Sequence, residues 1–499
     1  MAQIRPETEV DRTEVALAAD GLALPLARGT VEIEVVPGIA STTGGQRLVA
    51  LLVNMLARMK GVVSNIHVVT AENPKVLPGT PLVSERWADG LVALVASLNS
   101  TESTFRASLA LDPADSAAVR VRIGDTPGTA DIVVASDAWR ALLGRFTSQA
   151  DWHAASPIGP AMAAVIAAVE VFKRLVQANG NGGDTRVAPN DFAYSAFNYG
   201  VNAEAAWGPD VGAVRLADTA IVGCGAGGSA TAYILAMHPN LSGAVALIEP
   251  GAHKLSNLNR YLASTADDVH GMRHKLSSLV HHLACCAPSL ALELHAQPWE
   301  QLETHPWGTL ISAVDTIEAR WQIQWRARDD ATITDLGVND LLYSVLRVTP
   351  GGRCLFCKHP FDPDLASKQR STRWGVSLDK IRDWTAADKR VDHEMLGTLG
   401  RTQGQDPAAF IELLGVPFSE TPRLLECGST SLRADVPSQA PVLPLATSAV
   451  AVIAAAEVIK HVTGMPALDN WLAHDLRRKP TGPWSKHRGP IEGCPYHDN

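Results

Sequence analysis

The apolar positions of the chain fall into two alternating patterns. Short runs rich in valine and isoleucine, Val31–Pro37, Ile66–Thr70 and residues 118–123, read as strands. Between them, Gln46–Met59 and residues 89–98 carry apolar side chains at helical spacing. Strands alternating with helices predict βαβ units and a mostly parallel sheet. Residues 178–186 (ANGNGGDTR) break the pattern and predict a linker between two halves.

The plan occurs twice. Ala164–Lys173 (AVIAAVEVFK) recurs as Ala451–Lys460 (AVIAAAEVIK), with eight of ten positions identical at an offset of 287. DIVVASDAWRALL (131–143) also resembles TLISAVDTIEARW (309–321), each read as an apolar strand ending in an acid and followed by a helix. That alignment pairs Asp137 with Asp315 at an offset of 178, so about 109 extra residues fall in the second copy. The expected organisation is a first α/β unit at 1–180, a second at 181–353, an insertion at 354–435 and a return to the second unit at 436–499.

The second half carries a phosphate loop. Thr219–Val222 reads as a strand leading into GCGAGGS (223–229), with Gly223, Gly225 and Gly228 in a G-x-G-x-x-G pattern ahead of a helix at Ala230–Met237. Small residues let the backbone approach a phosphate, and the helix N-terminus offers free N–H groups and partial positive charge. The next strand, Ala244–Ile248, ends at Glu249, placed to accept ribose hydroxyls. A dinucleotide oxidoreductase would explain this much. It would not explain SNLNR (256–260), GMRHK (271–275) and Asp315, which add cations, asparagines and a carboxylate at the loop. Cleaving pyrophosphate from ATP needs such a set: an arginine and a lysine neutralise the charge that develops on the phosphates and a carboxylate holds Mg2+, the other reading of Arg260 and Lys275 being solvated charges on a helix face.

In these motifs the second half, about residues 190–499, resembles the adenylation domain of the ubiquitin-activating enzyme superfamily. Its simpler members, of the ThiF/MoeB type, activate sulfur-carrier proteins. The resemblance implies that Gly223, Gly225 and Gly228 cradle ATP, that Glu249 holds the ribose, that Asn257, Arg260 and Lys275 contact the phosphates, and that Asp315 ligates Mg2+. Glu249 stands where the family has Asp, Ala226 where it has Gly, and Tyr261 where it has Gln. The family builds its site between two adenylation folds, which implies two Rossmann-like ThiF-type folds in tandem, the first an inactive half whose loop (VPGIASTTGGQ, 36–46) lacks the glycine motif. Arg5, Arg12 and Arg28 are candidates for an arginine reaching across. The implied activity is ATP-dependent adenylation of the C-terminal carboxylate of a ubiquitin-like protein, with transfer to a conjugating partner. A sulfur-carrier adenylyltransferase and a peptide-tailoring adenylyltransferase are the alternatives.

All seven cysteines lie beyond residue 223. Cys354-Leu-Phe-Cys357 follows a Pro-Gly-Gly turn, and Cys494-Pro-Tyr-His497 sits near the C-terminus. Two such pairs can close a tetrahedral Zn2+ site, although a redox pair and plain buried thiols share the spacing. Cys427 (LLECGSTS) stands apart, and the family resemblance makes it a thioester nucleophile, with an inert buried cysteine as the other reading. Cys285 and Cys286 read as core residues and Cys224 as packing. Trp374 and Trp384 read as anchors of the insertion or as a contact for a protein partner.

Composition narrows the class further. With 46% hydrophobic and 19% charged residues, the chain has enough apolar surface for large cores. The net charge of −9 argues against a general nucleic-acid surface. Residues 1–30 lack a long apolar core, and the uncharged run 436–456 is interrupted by Pro437, Pro441 and Pro444, so neither a secretory signal nor a membrane span is expected. The expectation is a cytoplasmic enzyme.

Overall fold

The computed structural model of the chain describes residues 27–99, 106–179, 187–418 and 444–497, apart from short interruptions such as 126–128, 255–256, 372–374 and 478–484. Arg5, Arg12, the linker at 180–186, Trp374, Cys427 and the 434–443 loop lie outside the described residues.

Two sheets of the same topology make up the main compact unit. The first has β1 (Gly29–Val35), β2 (Val63–Val69), β3 (Ser108–Ala110), β4 (Val119–Ile123), β5 (Ile132–Ser136), β6 (Arg140–Leu143) and β7 (Phe192–Ser195), in the order β3-β2-β1-β4-β5-β6-β7. The second has β8 (Val214–Val222), β9 (Leu241–Ile248), β10 (Leu290–His295), β11 (Thr309–Ser312), β12 (Thr332–Asn339), β13 (Leu342–Val348), β14 (Trp471–Asp475) and β15 (Ser485–Lys486), in the order β10-β9-β8-β11-β12-β13-β14-β15. In each, the first five strands of the order are parallel and the rest antiparallel. The duplication is therefore strand for strand, β1 to β7 answering β8 to β14.

That correspondence corrects one expectation. Asp137 follows β5, whose counterpart is β12, whereas Asp315 follows β11, the counterpart of β4. The segment after Asp137 is also strand β6 and not a helix. Asp137 turns the chain sharply: its carboxylate accepts from the backbone N–H groups of Trp139 (2.9 Å) and Arg140 (2.7 Å) and from Arg140 Nε (2.6 Å), so β6 returns antiparallel to β5.

The helices follow from the pattern. In the first half, α1 (Thr43–Arg58) is buried along nearly its whole length and is capped by Thr42, whose hydroxyl accepts from Gly45 N (3.1 Å). The others there are α2 (Trp87–Ser97) and α3 (Ile158–Ala178). The second half contributes α4 (Ala226–Ala236), α5 (Ala266–His270), α6 (Lys275–Cys286), α7 (Ile317–Arg326) and α8 (Leu355–Lys358). Two helices of a second compact unit come next, α9 (Leu378–Ala386) and α10 (His393–Gln403), and α11 (Pro444–Thr463) returns to the main unit. The repeated sequence lies on α3 and α11, which pack together. Each buries an i,i+3 ion pair at 2.9 Å, Glu170–Lys173 and Glu457–Lys460. Each glutamate's Oε2 also accepts a backbone N–H at 2.8 Å, from Ala188 and Leu468. The repeat is thus a duplicated buried network. By length and composition α11 could cross a bilayer, yet 89% of its apolar window is buried inside the protein.

The second compact unit has its own core within the described residues 364–418, with Ile381, Trp384, Leu396, Phe410 and Phe418 among its members. Trp384 meets Phe418 edge-on at 5.2 Å, so this tryptophan is a core anchor. Cys285 departs from expectation: it is exposed, while Cys286 is buried, because α6 turns only one side toward the sheet.

Candidate functional site

β8 lies between β9 and β11, so the chain leaves its C-terminal end in one direction and returns on the other side. Open α/β sheets bind ligands in the crevice at such a switch point. The glycine loop sits there. Gly223 has φ +86°, and a Cβ on Gly228 would lie 2.0 Å from the Gly223 carbonyl oxygen, so the loop and α4 close on one another only without side chains. Cys224 is buried in the loop, and burial pushes its thiol pKa far up, which keeps it a packing residue.

Glu249, just past β9, is buried, and its Oε1 accepts from Gly251 N (2.9 Å) and Lys275 Nζ (3.0 Å). The chain brings Lys275 back by a local bridge: His253 N donates to Arg273 O (2.8 Å) and Lys275 N to Gly251 O (3.1 Å). Burial works against the Lys275 charge, but Tyr261, Glu249 and Asp315 outweigh it and hold its pKa above the ordinary value. Asp315 follows β11 at the same sheet end, exposed and immediately ahead of Thr316, which caps α7 by accepting from Ala319 N (3.2 Å).

Residues 257–261 reach the same place through Tyr261. Asn257 is buried, and its Oδ1 accepts from Lys254 N (2.9 Å). Asn259 was not singled out in the sequence, yet both its side-chain polar atoms are buried without a hydrogen-bond partner among the described residues, as is the Nε of Arg260. Buried polar groups almost always find partners, so these atoms are left to pair with a water or a polar ligand. The second asparagine of SNLNR was the available signal. Tyr261, noted in the sequence as standing where the family has Gln, sits centrally: its ring centroid is 5.9 Å from both the Arg260 guanidinium carbon and Lys275 Nζ, and its hydroxyl lies 3.5 Å from where a Gly225 Cβ would be. The structure therefore gathers Gly225, Arg260 and Lys275 around Tyr261 and pairs Lys275 with Glu249.

Arg28 does not join them. It lies ahead of β1 and donates to the Lys60 (3.2 Å) and Arg106 (3.3 Å) carbonyls of its own half. In the first half's equivalent loop, Gly38 N (2.6 Å) and Ser41 Oγ (2.9 Å) donate to the carboxylate of Glu72.

A second cluster lies in the core under the second sheet. Cys354 Sγ is 3.5 Å from both Cys357 Sγ and Cys494 Sγ, and the ligand atoms of these three and His497 all lie within 4.8 Å of one another. His497 Nε2 has no partner among the described residues, and Ile491 N donates to Cys357 Sγ (3.4 Å). Three thiols and an imidazole so gathered fit a tetrahedral Zn2+.

The ThiF family matches residues 202–479. The uncharacterized protein y4jF of Sinorhizobium fredii is 23% identical over 454 residues, 86% of this chain and 80% of that one. Among solved structures, E. coli MccB with MccA is similar at a TM-score of 0.37 and 14% identity, over 56% of this chain and 66% of MccB, just under two thirds of its length. PaaA is similar at a TM-score of 0.31 and 19% identity, over 54% of this chain and 72% of PaaA. Since the family match spans more than half of the 499 residues and contains the glycine loop, both acids and the orphaned asparagine, this protein belongs to the ThiF family.

Proposed function

We propose that this protein is an ATP-dependent adenylyltransferase that activates the C-terminal carboxylate of a small protein, ubiquitin-like or sulfur-carrier-like in kind. The observation that carries the reading is the orphaned Asn259–Arg260 pair, next in the chain to Tyr261, whose hydroxyl approaches Gly225 of the glycine loop. Leaving a buried donor unanswered costs about 1–3 kcal/mol, and phosphate oxygens would answer the Asn259 amide and the Arg260 Nε together. Lys275 supports a second cationic contact. Glu249 has acceptor capacity left for ribose hydroxyls, since a carboxylate offers about four lone-pair sites.

In the reaction, an oxygen of the partner's terminal carboxylate attacks the α-phosphorus of ATP. The bond from that phosphorus to the bridging oxygen breaks and pyrophosphate leaves. Arg260 and Lys275 balance the negative charge that moves onto the phosphates. Asp315, exposed at the crevice, would hold Mg2+, which when bound shields the same charge. Cys427, outside the described residues, then attacks the acyl carbon as a thiolate, forming a thioester as AMP departs. Glu72 supports an inactive first half, because the protein's own carboxylate takes the N–H group that a phosphate would need there. The Cys354, Cys357, Cys494 and His497 cluster would hold Zn2+ and pin the C-terminal tail to α8.

The test is ATP–pyrophosphate exchange with small proteins encoded beside the gene, followed by intact-mass analysis. Exchange should need the partner and Mg2+, vanish in Asp315→Ala and survive in Cys427→Ala, which should lose a thiol-reducible adduct. Exchange without any adduct would favour the sulfur-carrier reading, and exchange only with a short peptide the peptide-tailoring one. Unimpaired exchange in Asp315→Ala would refute the role given to that residue.

A further inference from the structure

We infer that Asn54 and Arg58, on α1 of the half that lacks the glycine motif, are positioning residues that hold the Asn259–Arg260 wall of the other half in its ligand-binding form. The inference rests on the adenylyltransferase reading for what the wall binds. Arg58 is 1% exposed. Its Nε donates to Asn54 Oδ1 (2.7 Å), one turn earlier on the same helix face. Its Nη1 donates to the Leu258 carbonyl (2.5 Å), and its Nη2 to the carbonyls of Leu262 (2.8 Å) and Ser264 (2.9 Å). Asn54 Nδ2 also donates to Leu262 O (3.0 Å).

These three carbonyls bracket Asn259, Arg260 and Tyr261. The segment's own hydrogen bonds are tight turns: Arg260 N (3.0 Å) and Tyr261 N (3.1 Å) donate to Asn257 O, and Ser264 N donates to Tyr261 O (3.0 Å). Such turns leave the Leu258, Leu262 and Ser264 carbonyls in need of outside donors, and one planar guanidinium supplies them all. The arrangement is costly. Burial pushes the Arg58 pKa down to about 9, with only Tyr233 and Asp268 opposing it. Asp268 is itself engaged by Thr265 Oγ1 (2.9 Å) and Arg273 Nη1 (3.2 Å). A cation held by neutral carbonyls in place of a carboxylate is poor stabilisation, but it fixes backbone geometry.

The same pair reaches the other walls. Asn54 Nδ2 donates to the Tyr233 hydroxyl (3.1 Å) on α4, the helix that starts at the glycine loop. The Tyr233 ring stacks on His282 (4.1 Å between centroids, 8° between planes) of α6, the helix that starts at Lys275. One turn of α1 is thereby linked to the loop helix, the lysine helix and the asparagine–arginine segment.

The experiment compares Arg58→Lys, Arg58→Met and Asn54→Ala in the full chain. Hydrogen exchange is read at 257–264 without nucleotide, and KM for ATP and kcat are read in pyrophosphate exchange. Lysine keeps the charge but cannot fork to three carbonyls. Amide protection in 257–264 should fall in every variant, and KM for ATP should rise about 10-fold or more in Arg58→Lys, as expected for losing one or two charged hydrogen bonds. The kcat at saturating ATP should change far less. If Arg58→Met fails to fold, the two milder variants decide. Unchanged protection together with unchanged KM in both would overturn the positioning role. Lost protection in a protein whose wild type never uses ATP would uphold the clamp and overturn the adenylyltransferase reading instead.

Discussion

Asp335 on β12 should be the most stability-sensitive carboxylate near the site. It is fully buried and accepts from Ser312 Oγ (2.7 Å), Arg320 Nε (3.0 Å) and Lys358 Nζ (2.7 Å). It therefore joins three elements: β11, the helix α7 that begins after Asp315, and α8 with Cys357. Asp335→Ala would strand two cations whose side chains are only 10% and 14% exposed. Removing one partner of such a buried network costs about 3–5 kcal/mol. The main compact unit holds roughly 400 residues, and at an unfolding entropy of about 2.1 cal/mol/K per residue each kcal/mol lowers the melting midpoint by about 1 °C, so a fall of roughly 4–6 °C is expected at pH 7. The pH dependence carries a sign. Burial alone would raise the Asp335 pKa, but Lys358, Arg320 and Ser312 outweigh it and hold it below the ordinary 3.8. A depressed folded pKa contributes stability above the unfolded value, and that stability is lost as pH falls through the folded pKa. The gap between wild type and Asp335→Ala should thus be full at neutral pH and shrink below about pH 3.8. Urea and thermal melts followed by circular dichroism measure it. A loss under about 1 kcal/mol at pH 7, the scale of an exposed pair, would refute the argument.

Two further outcomes are expected. Protein purified without chelators should carry one equivalent of zinc by plasma mass spectrometry, and Cys494→Ser should lower it; metal-free wild type would remove the structural role given to the cluster. Gly228→Ala places a Cβ 2.0 Å from the Gly223 carbonyl oxygen, so β8 and α4 must part. That should cost about 1–3 kcal/mol and abolish the ATP-induced shift in melting temperature, whereas a retained shift would show that the close approach is dispensable.

Much of the fold was legible because burial leaves a periodic trace. The alternation in β1 and β4 and the repeated Glu–Lys helices α3 and α11 all follow from what those residues must bury. Asp137 misled because an apolar strand ending in an acid looks the same whether the next residues form a helix or turn back as β6. Only strand pairing separates the two, and pairing is not local. Lys275 came in through GMRHK and the family resemblance, whereas the glycine loop and Glu249 were readable from spacing, since each sits where a strand ends. The partnership of Glu249 with Lys275 was not, because it depends on the 251–275 bridge. Arg58 gave no local signal at all: its acceptors lie about 200 residues away in sequence.

The asymmetry between the two halves gives the duplication its physical sense. Both sheets offer a loop at the end of their central strand, β1 and β8, yet the first loop is answered by Glu72 of its own half and the second is left with unanswered donors nearby. A loop satisfied internally has little to gain from an anion, whereas orphaned donors lower the cost of binding one. The first half spends its polar side chains differently, sending Asn54 and Arg58 from α1 onto the backbone of the second. In the proposed arrangement the half without the motif still serves the site, by holding the residues proposed to bind the ligand, and α1 can change only as far as the carbonyls of Leu258, Leu262 and Ser264 keep their donors.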